Sequence, residues 1–84
     1  MSKKLFTFFG SLCSKTSDKD LVGYAIPVDS ILRILDYIPA EGENPHLQTE
    51  IIFFNEHLDN SPIHVYTTGR VIDIALEIND FEND

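Results

Sequence analysis

The sequence predicts an α+β domain in which two amphipathic helices pack on a small three-stranded antiparallel sheet. Three observations support this fold class. Residues 3–14 and 27–38 each place their apolar side chains on one side of a helical wheel, as a helix packed on a core does. Residues 48–54 are rich in β-branched and aromatic residues, which favour strands. Residues 63–80 alternate apolar and polar side chains, as the strands of a half-buried hairpin do.

The length and composition indicate one folded domain. The chain has 84 residues, of which 43% are hydrophobic and 24% are charged, and this is typical of a small globule with a packed core. We expect a single domain over 1–84 whose ends, 1–2 and 80–84, are disordered. The only cysteine, Cys13, excludes an intramolecular disulfide and fits a reducing compartment, so we expect a cytoplasmic protein.

The N-terminal segment MSKKLFTFFGSLCSK has a positive start and an apolar run, but it lacks the features of a secretory signal. The run is short and interrupted by Gly10, and Leu12 precedes Cys13 where a lipoprotein signal requires a small residue. We predict an amphipathic helix over 3–14, with Cys13 on its buried side. A strand is the alternative, because Phe and Thr favour strands and a glycine costs about 1 kcal/mol inside a helix. Such a strand would have to bury both of its faces.

The next segments predict a short strand followed by a helix. LVGYAI, at 21–26, has a strand-forming composition. In PVDSILRILDYIP, Pro27 suits the first position of a helix and Pro39 ends it. Asp29 and Arg33 would then form an i, i+4 ion pair on the exposed side of the helix.

The second half of the chain predicts a loop, a strand and a hairpin. AEGENPH, at 40–46, has the composition of a loop, and the strand at 48–54 is apolar on both faces. A two-residue turn at Thr68-Gly69 would place apolar residues opposite each other across the hairpin. The outward row of this hairpin is His64, Tyr66, Val71, Asp73, Ala75 and Glu77. A mixed apolar row rimmed by acids has the anatomy of a protein-binding surface.

The charge is distributed unevenly along the chain, and the net charge is −8 at pH 7. Residues 1–20 carry four lysines and two aspartates, whereas residues 21–84 carry two arginines and twelve carboxylates. A surface with this excess of negative charge repels nucleic acids and anionic lipids and attracts basic proteins. We therefore expect a basic protein partner, no direct nucleic-acid binding and no membrane association.

No motif for catalysis, cofactor binding or metal binding stands out. His46, His57 and His64 do not have metal-ligand spacing, and there is no glycine-rich phosphate loop. His64 and Asp73 would face each other across the hairpin like a base and its orienting carboxylate, but no nucleophile can be placed beside them. We expect a protein that is not an enzyme and that needs no cofactor.

Two classes of function fit these observations. The first is a small acidic inhibitor or immunity-type protein that blocks the basic nucleic-acid-binding or active site of a nuclease, toxin or defence protein. The alternative is a homo-oligomeric interaction or scaffolding module that uses the outer sheet face. For the first class, the predicted partner-binding residues are Asp29, Asp36, Glu41, Glu43, Glu56, Asp59, Tyr66, Asp73 and Glu77.

Overall fold

The computed structural model describes residues 4–54 and 61–82, which form five strands and one α-helix. The strands are β1 (Leu5–Ser11), β2 (Val22–Pro27), β3 (Ile31–Asp36), β4 (Thr49–Phe54) and β5 (Pro62–Thr67), and the helix is α1 (Val71–Glu82). Short 3-10 turns lie at Asp18–Asp20 and Val28–Ser30. Within these residues, no helix is both long enough and apolar enough to cross a membrane.

The five strands form one antiparallel sheet in the order β2-β1-β5-β4-β3. β4 and β5 pair along their whole length, with Ile51 opposite Val65. β1 reaches β5 only at its C-terminal end, where Gly10 is opposite Thr67. A Cβ atom on Gly10 would lie 2.7 Å from the backbone oxygen of Tyr66, so glycine is needed for this close approach of the two strands.

The sheet is strongly curled. Its two outermost strands, β2 and β3, are joined by only three residues, Val28–Ser30. A flat sheet of five strands would hold its edge strands about 19 Å apart, since neighbouring strands lie about 4.8 Å apart. The link from Pro27 to Ile31 can span no more than about 14 Å. The edge strands therefore turn toward each other at this end, and the inner side of the sheet encloses the core.

The core combines inward-facing side chains of four strands with one side of the helix. Its buried apolar residues are Phe6, Ile26, Ile51, Phe53, Val65 and Ile74. Ile74 of α1 is 6% exposed, whereas Ile72 and Leu76 of the same helix are 61% and 57% exposed. The helix thus packs one side onto the core and leaves apolar side chains on the other side in contact with solvent.

The predicted fold class is wrong, because the described residues form five strands and one helix instead of three strands and two helices. The strands predicted at 21–26 and 48–54 are confirmed as β2 and β4. The first strand of the predicted hairpin is confirmed as β5. Strands form in the two segments predicted to be helices. A helix forms in the segment predicted to be the second strand of the hairpin.

The N-terminal segment forms strand β1 and an exposed turn, so the predicted helix over 3–14 is wrong. A strand here does not need to bury both faces. Phe6 on the inner face is 1% exposed, whereas Phe9 on the outer face is 68% exposed. Cys13, predicted to be buried, is exposed in the turn after the strand.

The predicted helix over 27–38 is also wrong, since Val28–Ser30 is a single 3-10 turn and strand β3 follows it. A β-bulge between Ile31 and Arg33 shifts the register, so that Ile31 lies opposite Phe53 and Ile34 lies opposite Ile51. Two residues three positions apart therefore face the core together. Apolar residues three positions apart also occur on one side of an α-helix, so the sequence of this strand resembles that of a helix. Asp29 and Arg33 lie on different elements, and the helical i, i+4 relation between them does not exist.

The predicted second strand of the hairpin is helix α1, which begins at Val71 and follows β5 by three residues. Val71, Ile74 and Ile78 are spaced by three and four residues, and this spacing places them on one side of a helix. The predicted opposition of Tyr66 to Val71 and of His64 to Asp73 is therefore wrong. Tyr66 pairs instead with residues of β1 and β4.

Candidate functional site

Two loops, 12–21 and 37–48, leave the sheet at the same end. β1 ends beside the last residues of β5, with which it pairs. β3 ends beside the first residues of β4, and these pair with the same last residues of β5, so both loops begin at one end of the sheet. The backbone NH of Asn44 in the second loop donates to the carbonyl oxygen of Ser14 in the first at 2.9 Å. The loops therefore form one continuous surface with the end of the sheet.

Glu43 is the central acceptor of this surface. Its Oε1 accepts hydrogen bonds from the Tyr37 hydroxyl at 2.5 Å and from the Ala40 backbone NH at 2.7 Å. Its Oε2 accepts a hydrogen bond from the Ser14 hydroxyl. Gly42, with φ of +88°, makes the turn that brings the carboxylate back onto these donors.

The three donors stabilise the ionised form of the Glu43 carboxyl. The hydrogen bond from Ser14 lowers its pKa most, followed by those from Tyr37 and the Ala40 NH, and the resulting pKa is about 2. The group therefore keeps its negative charge at every pH at which the protein is expected to work. The charge is also held in place, since donors on both loops fix both carboxylate oxygens.

Two tyrosine rings lie beside this carboxylate. The ring centroids of Tyr37 and Tyr66 are 4.7 Å apart, with an angle of 51° between the ring planes. Donation to Glu43 raises the pKa of Tyr37. Partial burial raises the pKa of Tyr66, and the nearby charges of Glu50 and Glu43 raise it further. Both hydroxyls stay protonated, and both tyrosines are partly buried and partly exposed to solvent.

The outer side of the sheet continues from Tyr66. Glu50 of β4 lies opposite Tyr66 of β5 on one side and Leu35 of β3 on the other. Glu50 Oε2 is 2.8 Å from Nδ1 of His64, and the His64 side chain is 49% exposed. Leu35 is 39% exposed. We call this whole region the tyrosine–carboxylate surface, which consists of Ser14, Leu35, Tyr37, Glu43, Glu50, His64 and Tyr66.

A second polar cluster holds the same two loops together. Asn44 is buried, and its Nδ2 donates to Thr16 O at 2.9 Å and to Asp18 Oδ1 at 2.7 Å. Asp18 Oδ2 is also 2.6 Å from Nδ1 of His46. The hydrogen bonds from Asn44 and His46 lower the pKa of Asp18. This network satisfies buried polar atoms between the loops, so we assign it a structural role.

Of the nine predicted partner-binding residues, the structure brings two pairs together. Glu43 and Tyr66 both belong to the tyrosine–carboxylate surface. Asp36 and Asp73 both flank Arg70, since Asp36 lines a depression with it and Asp73 Oδ2 accepts from its Nε at 3.0 Å.

The remaining predicted residues are dispersed over other parts of the chain. Asp29 is exposed in the turn between β2 and β3, Glu41 is exposed in the loop before β4, and Glu77 is exposed on α1. Glu56 and Asp59 lie outside the described residues. Those of the predicted residues that the structure describes do not form one surface.

Sequence reasoning missed Tyr37, Glu50 and Ser14 as members of the site. Tyr37 falls within the helix predicted over 27–38, which does not form. Glu50 could have been found from the alternation of β4, because it points away from the buried positions Thr49 and Ile51. Ser14 meets Glu43 across 29 residues of sequence, and no local pattern indicates this contact.

The described part of the chain holds no cluster of three or more histidine, cysteine, aspartate or glutamate side chains that could bind a metal ion. Comparison with family models, curated proteins and solved structures finds no match to this chain. The functional interpretation therefore depends on the geometry and charge of the surface.

Proposed function

We propose that this chain is a small acidic inhibitor or immunity-type protein of the cytoplasm. It binds a basic protein, such as a nuclease, a toxin or another defence protein, and blocks its nucleic-acid-binding or active site. The observation that carries the proposal is the tyrosine–carboxylate surface, where the fixed charge of Glu43 and the rings of the partly buried Tyr37 and Tyr66 lie together.

The chemistry of this surface suits a partner lined by arginine and lysine. A basic cleft that binds phosphates offers guanidinium and ammonium donors, and carboxylates accept from the same donors. Tyrosines supply large contact areas with few rotatable bonds, which is why they are frequent among the dominant residues of protein interfaces. The hydrogen bonds of Glu43 are made before the partner arrives, so little side-chain entropy is lost when it binds.

The net charge of −8 supports the same class of partner. A negative field accelerates the encounter with a basic protein and disfavours direct contact with nucleic acid. We propose no catalytic activity and no cofactor for the chain. Its effect on the partner is steric and electrostatic occupation of the site.

The experiment is affinity capture from a lysate of the host, with the captured proteins eluted by increasing salt. We expect a basic nucleic-acid-binding protein that is retained at about 0.05 M salt and released toward about 0.3 M, where charges are screened over shorter distances. Tyr66→Ala and Glu50→Lys should lose the captured protein. Asp80→Lys, a charge reversal on the exposed side of α1, is the matched control and should retain it.

Retention that is equal for all variants and insensitive to salt would contradict the proposal. The alternative, a self-associating module, is supported by a different observation. Leu5 and Phe9 on the outer side of β1 are 51% and 68% exposed.

A further inference from the structure

The side-chain donors of the tyrosine–carboxylate surface are engaged within the protein itself. The hydroxyls of Ser14 and Tyr37 both donate to Glu43. Nδ1 of His64 lies 2.8 Å from Oε2 of Glu50. A ligand that had to accept hydrogen bonds from these groups would first have to break the bonds that hold the surface in place.

Acceptors of the same surface are still available. An ionised carboxylate offers about four acceptor positions. Glu43 uses two positions on Oε1 and one on Oε2, so Oε2 can accept once more. Within the described residues, Oε1 of Glu50 and the hydroxyl of Tyr66 have no hydrogen-bond partner. The surface is therefore suited to a group that donates several hydrogen bonds and needs to accept none.

The ring of Tyr66 lies between the two carboxylates. Glu50 is its neighbour on β4, and side chains directly opposite each other in an antiparallel pair have Cβ atoms about 5 Å apart. The charges of Glu50 and Glu43 both raise the pKa of Tyr66, so both carboxylates are close enough to act on its hydroxyl. The ring of Tyr37 packs against that of Tyr66 and holds its orientation. The available acceptors thus surround one oriented, partly exposed aromatic ring.

The chain's own lysine near this surface does not occupy it. The charge of Lys15 is the weakest of the influences that lower the pKa of Glu43. No ion pair joins Lys15 to Glu43 in the part of the chain that the structure describes. The negative charge of the surface is therefore left for a cation from outside.

We propose that the tyrosine–carboxylate surface binds an arginine side chain of the basic partner and prefers arginine to lysine. This inference rests on the proposed function, which assigns the partner. A guanidinium is flat, carries several N–H donors and has no acceptor, so it can stack on the ring of Tyr66 while it donates to Glu50. A lysine ammonium is a compact, strongly hydrated charge without a flat face. It gains the attraction of Glu43 and Glu50 but loses the stacking.

NMR titration of the purified full chain with two blocked tripeptides tests this preference. The peptides are acetyl-Gly-Arg-Gly-amide and acetyl-Gly-Lys-Gly-amide, and each carries one positive charge, so the acidic protein attracts both alike at the same salt concentration. We expect weak, millimolar binding of both, with shifts at the amides of Glu50 and Tyr66. The arginine peptide should bind at least about threefold more tightly, because cation–π stacking on an exposed ring favours it.

Two variants and a control assign the preference to the ring and to the carboxylate. Tyr66→Leu keeps an apolar side chain but removes the ring, so the two peptides should bind it equally. Glu50→Gln should weaken both peptides by at least about threefold, since it removes a charge that both of them use. Glu77→Gln removes an exposed charge on α1 and should bind both peptides like the wild type. The amide spectrum of each variant shows whether it folds.

The comparison of the two peptides on the wild type needs no variant. Equal affinity for arginine and lysine, or no shift with either peptide, would overturn the proposal. An arginine preference that persists in Tyr66→Leu would overturn it as well, and so would equal weakening by Glu50→Gln and Glu77→Gln.

The outcome is distinguishable from that of the proposed function, which affinity capture tests separately. A captured basic partner together with equal peptide affinities would remove only the arginine preference. An arginine preference without a captured partner would leave the binding site and remove the proposed inhibitor function.

Discussion

Tyr37 and Glu43 are joined by a 2.5 Å hydrogen bond from the tyrosine hydroxyl to Oε1 of the carboxylate. This bond closes the loop between β3 and β4, and the hydroxyl of Ser14 ties the same carboxylate to the loop between β1 and β2. Glu43 therefore both orders the candidate surface and supplies part of its charge. Changes at Glu43 are expected to affect stability as well as binding, so the two effects must be measured separately.

The first prediction concerns the pH dependence of stability. The folded-state pKa of Glu43, about 2, is below the ordinary value of 4.5. The ionised carboxylate therefore stabilises the fold fully above pH 4.5, and this contribution is lost as the pH falls toward 2. In Glu43→Gln the contribution is absent at every pH. We expect the gap in Tm between the wild type and the variant to be largest near neutral pH and to shrink in acid.

Thermal unfolding followed by circular dichroism, at several values from about pH 7 to about pH 2.5, measures this gap. Glu41→Gln is the control, because Glu41 is an exposed residue of the same loop. A gap that stays constant over the whole range would show that the Glu43 charge does not contribute to stability.

The second prediction concerns the junction between β1 and β5. In Gly10→Ala the new Cβ would lie 2.7 Å from the Tyr66 backbone oxygen and equally close to the Val65 side chain. One of the strands must shift, and we expect a loss of about 1–3 kcal/mol in the free energy of unfolding. Urea titration of the purified variants measures it.

Gly23→Ala is the matched control for this junction. A Cβ atom there would meet the Phe9 ring at 3.7 Å, an ordinary contact distance. We expect a change within about 0.5 kcal/mol of the wild type. Equal destabilisation by the two alanines would contradict the close approach of β1 and β5.

The third prediction distinguishes helix α1 from a hairpin strand. In a strand, Ile72 and Ile74 would face the core together, whereas in the helix only Ile74 does. Ile74→Ala should cost about 2–4 kcal/mol of unfolding free energy, because it leaves a cavity in the buried core cluster to which Ile74 belongs. Ile72→Ala should cost less than about 0.5 kcal/mol. Similar losses from both substitutions would be evidence for the strand.

The fourth prediction concerns the two tyrosines in binding. Tyr37→Phe removes the donor to Glu43 but keeps the ring, whereas Tyr66→Ala removes a ring from the centre of the surface. If the rings anchor a basic partner, Tyr66→Ala should weaken its binding by at least about tenfold, as is typical of a dominant interface residue. Tyr37→Phe should weaken it less. Calorimetric titration of the partner recovered by affinity capture measures both, and an effect of Tyr37→Phe equal to that of Tyr66→Ala would contradict the anchoring role of the rings.

Part of the fold could be predicted from local sequence, and the failures have physical causes. β2, β4 and β5 have strand composition, and they form strands. The sequence of β3 predicts a helix because the bulge places Ile31 and Ile34 on one face of the strand at a helical spacing. In α1, the alternation from Val71 to Ile78 satisfies a strand period and a helix period at once, and packing of Ile74 decides between them.

The candidate site was less predictable than the fold. Charge and aromatic character predict Glu43 and Tyr66 as partner-binding residues, and both lie in the tyrosine–carboxylate surface. The contact of Ser14 with Glu43 depends on the order of strands in the sheet, which brings two distant loops to the same end. Strand order is a property of tertiary packing, and residue-by-residue patterns do not contain it.

The most direct test of the central claim is competition for the partner's nucleic-acid site. The protein is titrated into the captured basic partner bound to a fluorescently labelled nucleic acid, and the fluorescence anisotropy is followed. Our account predicts full displacement of the nucleic acid by the wild type, and displacement only at much higher concentration by Tyr66→Ala. A ternary complex, in which the protein binds the partner while the nucleic acid stays bound, would contradict it.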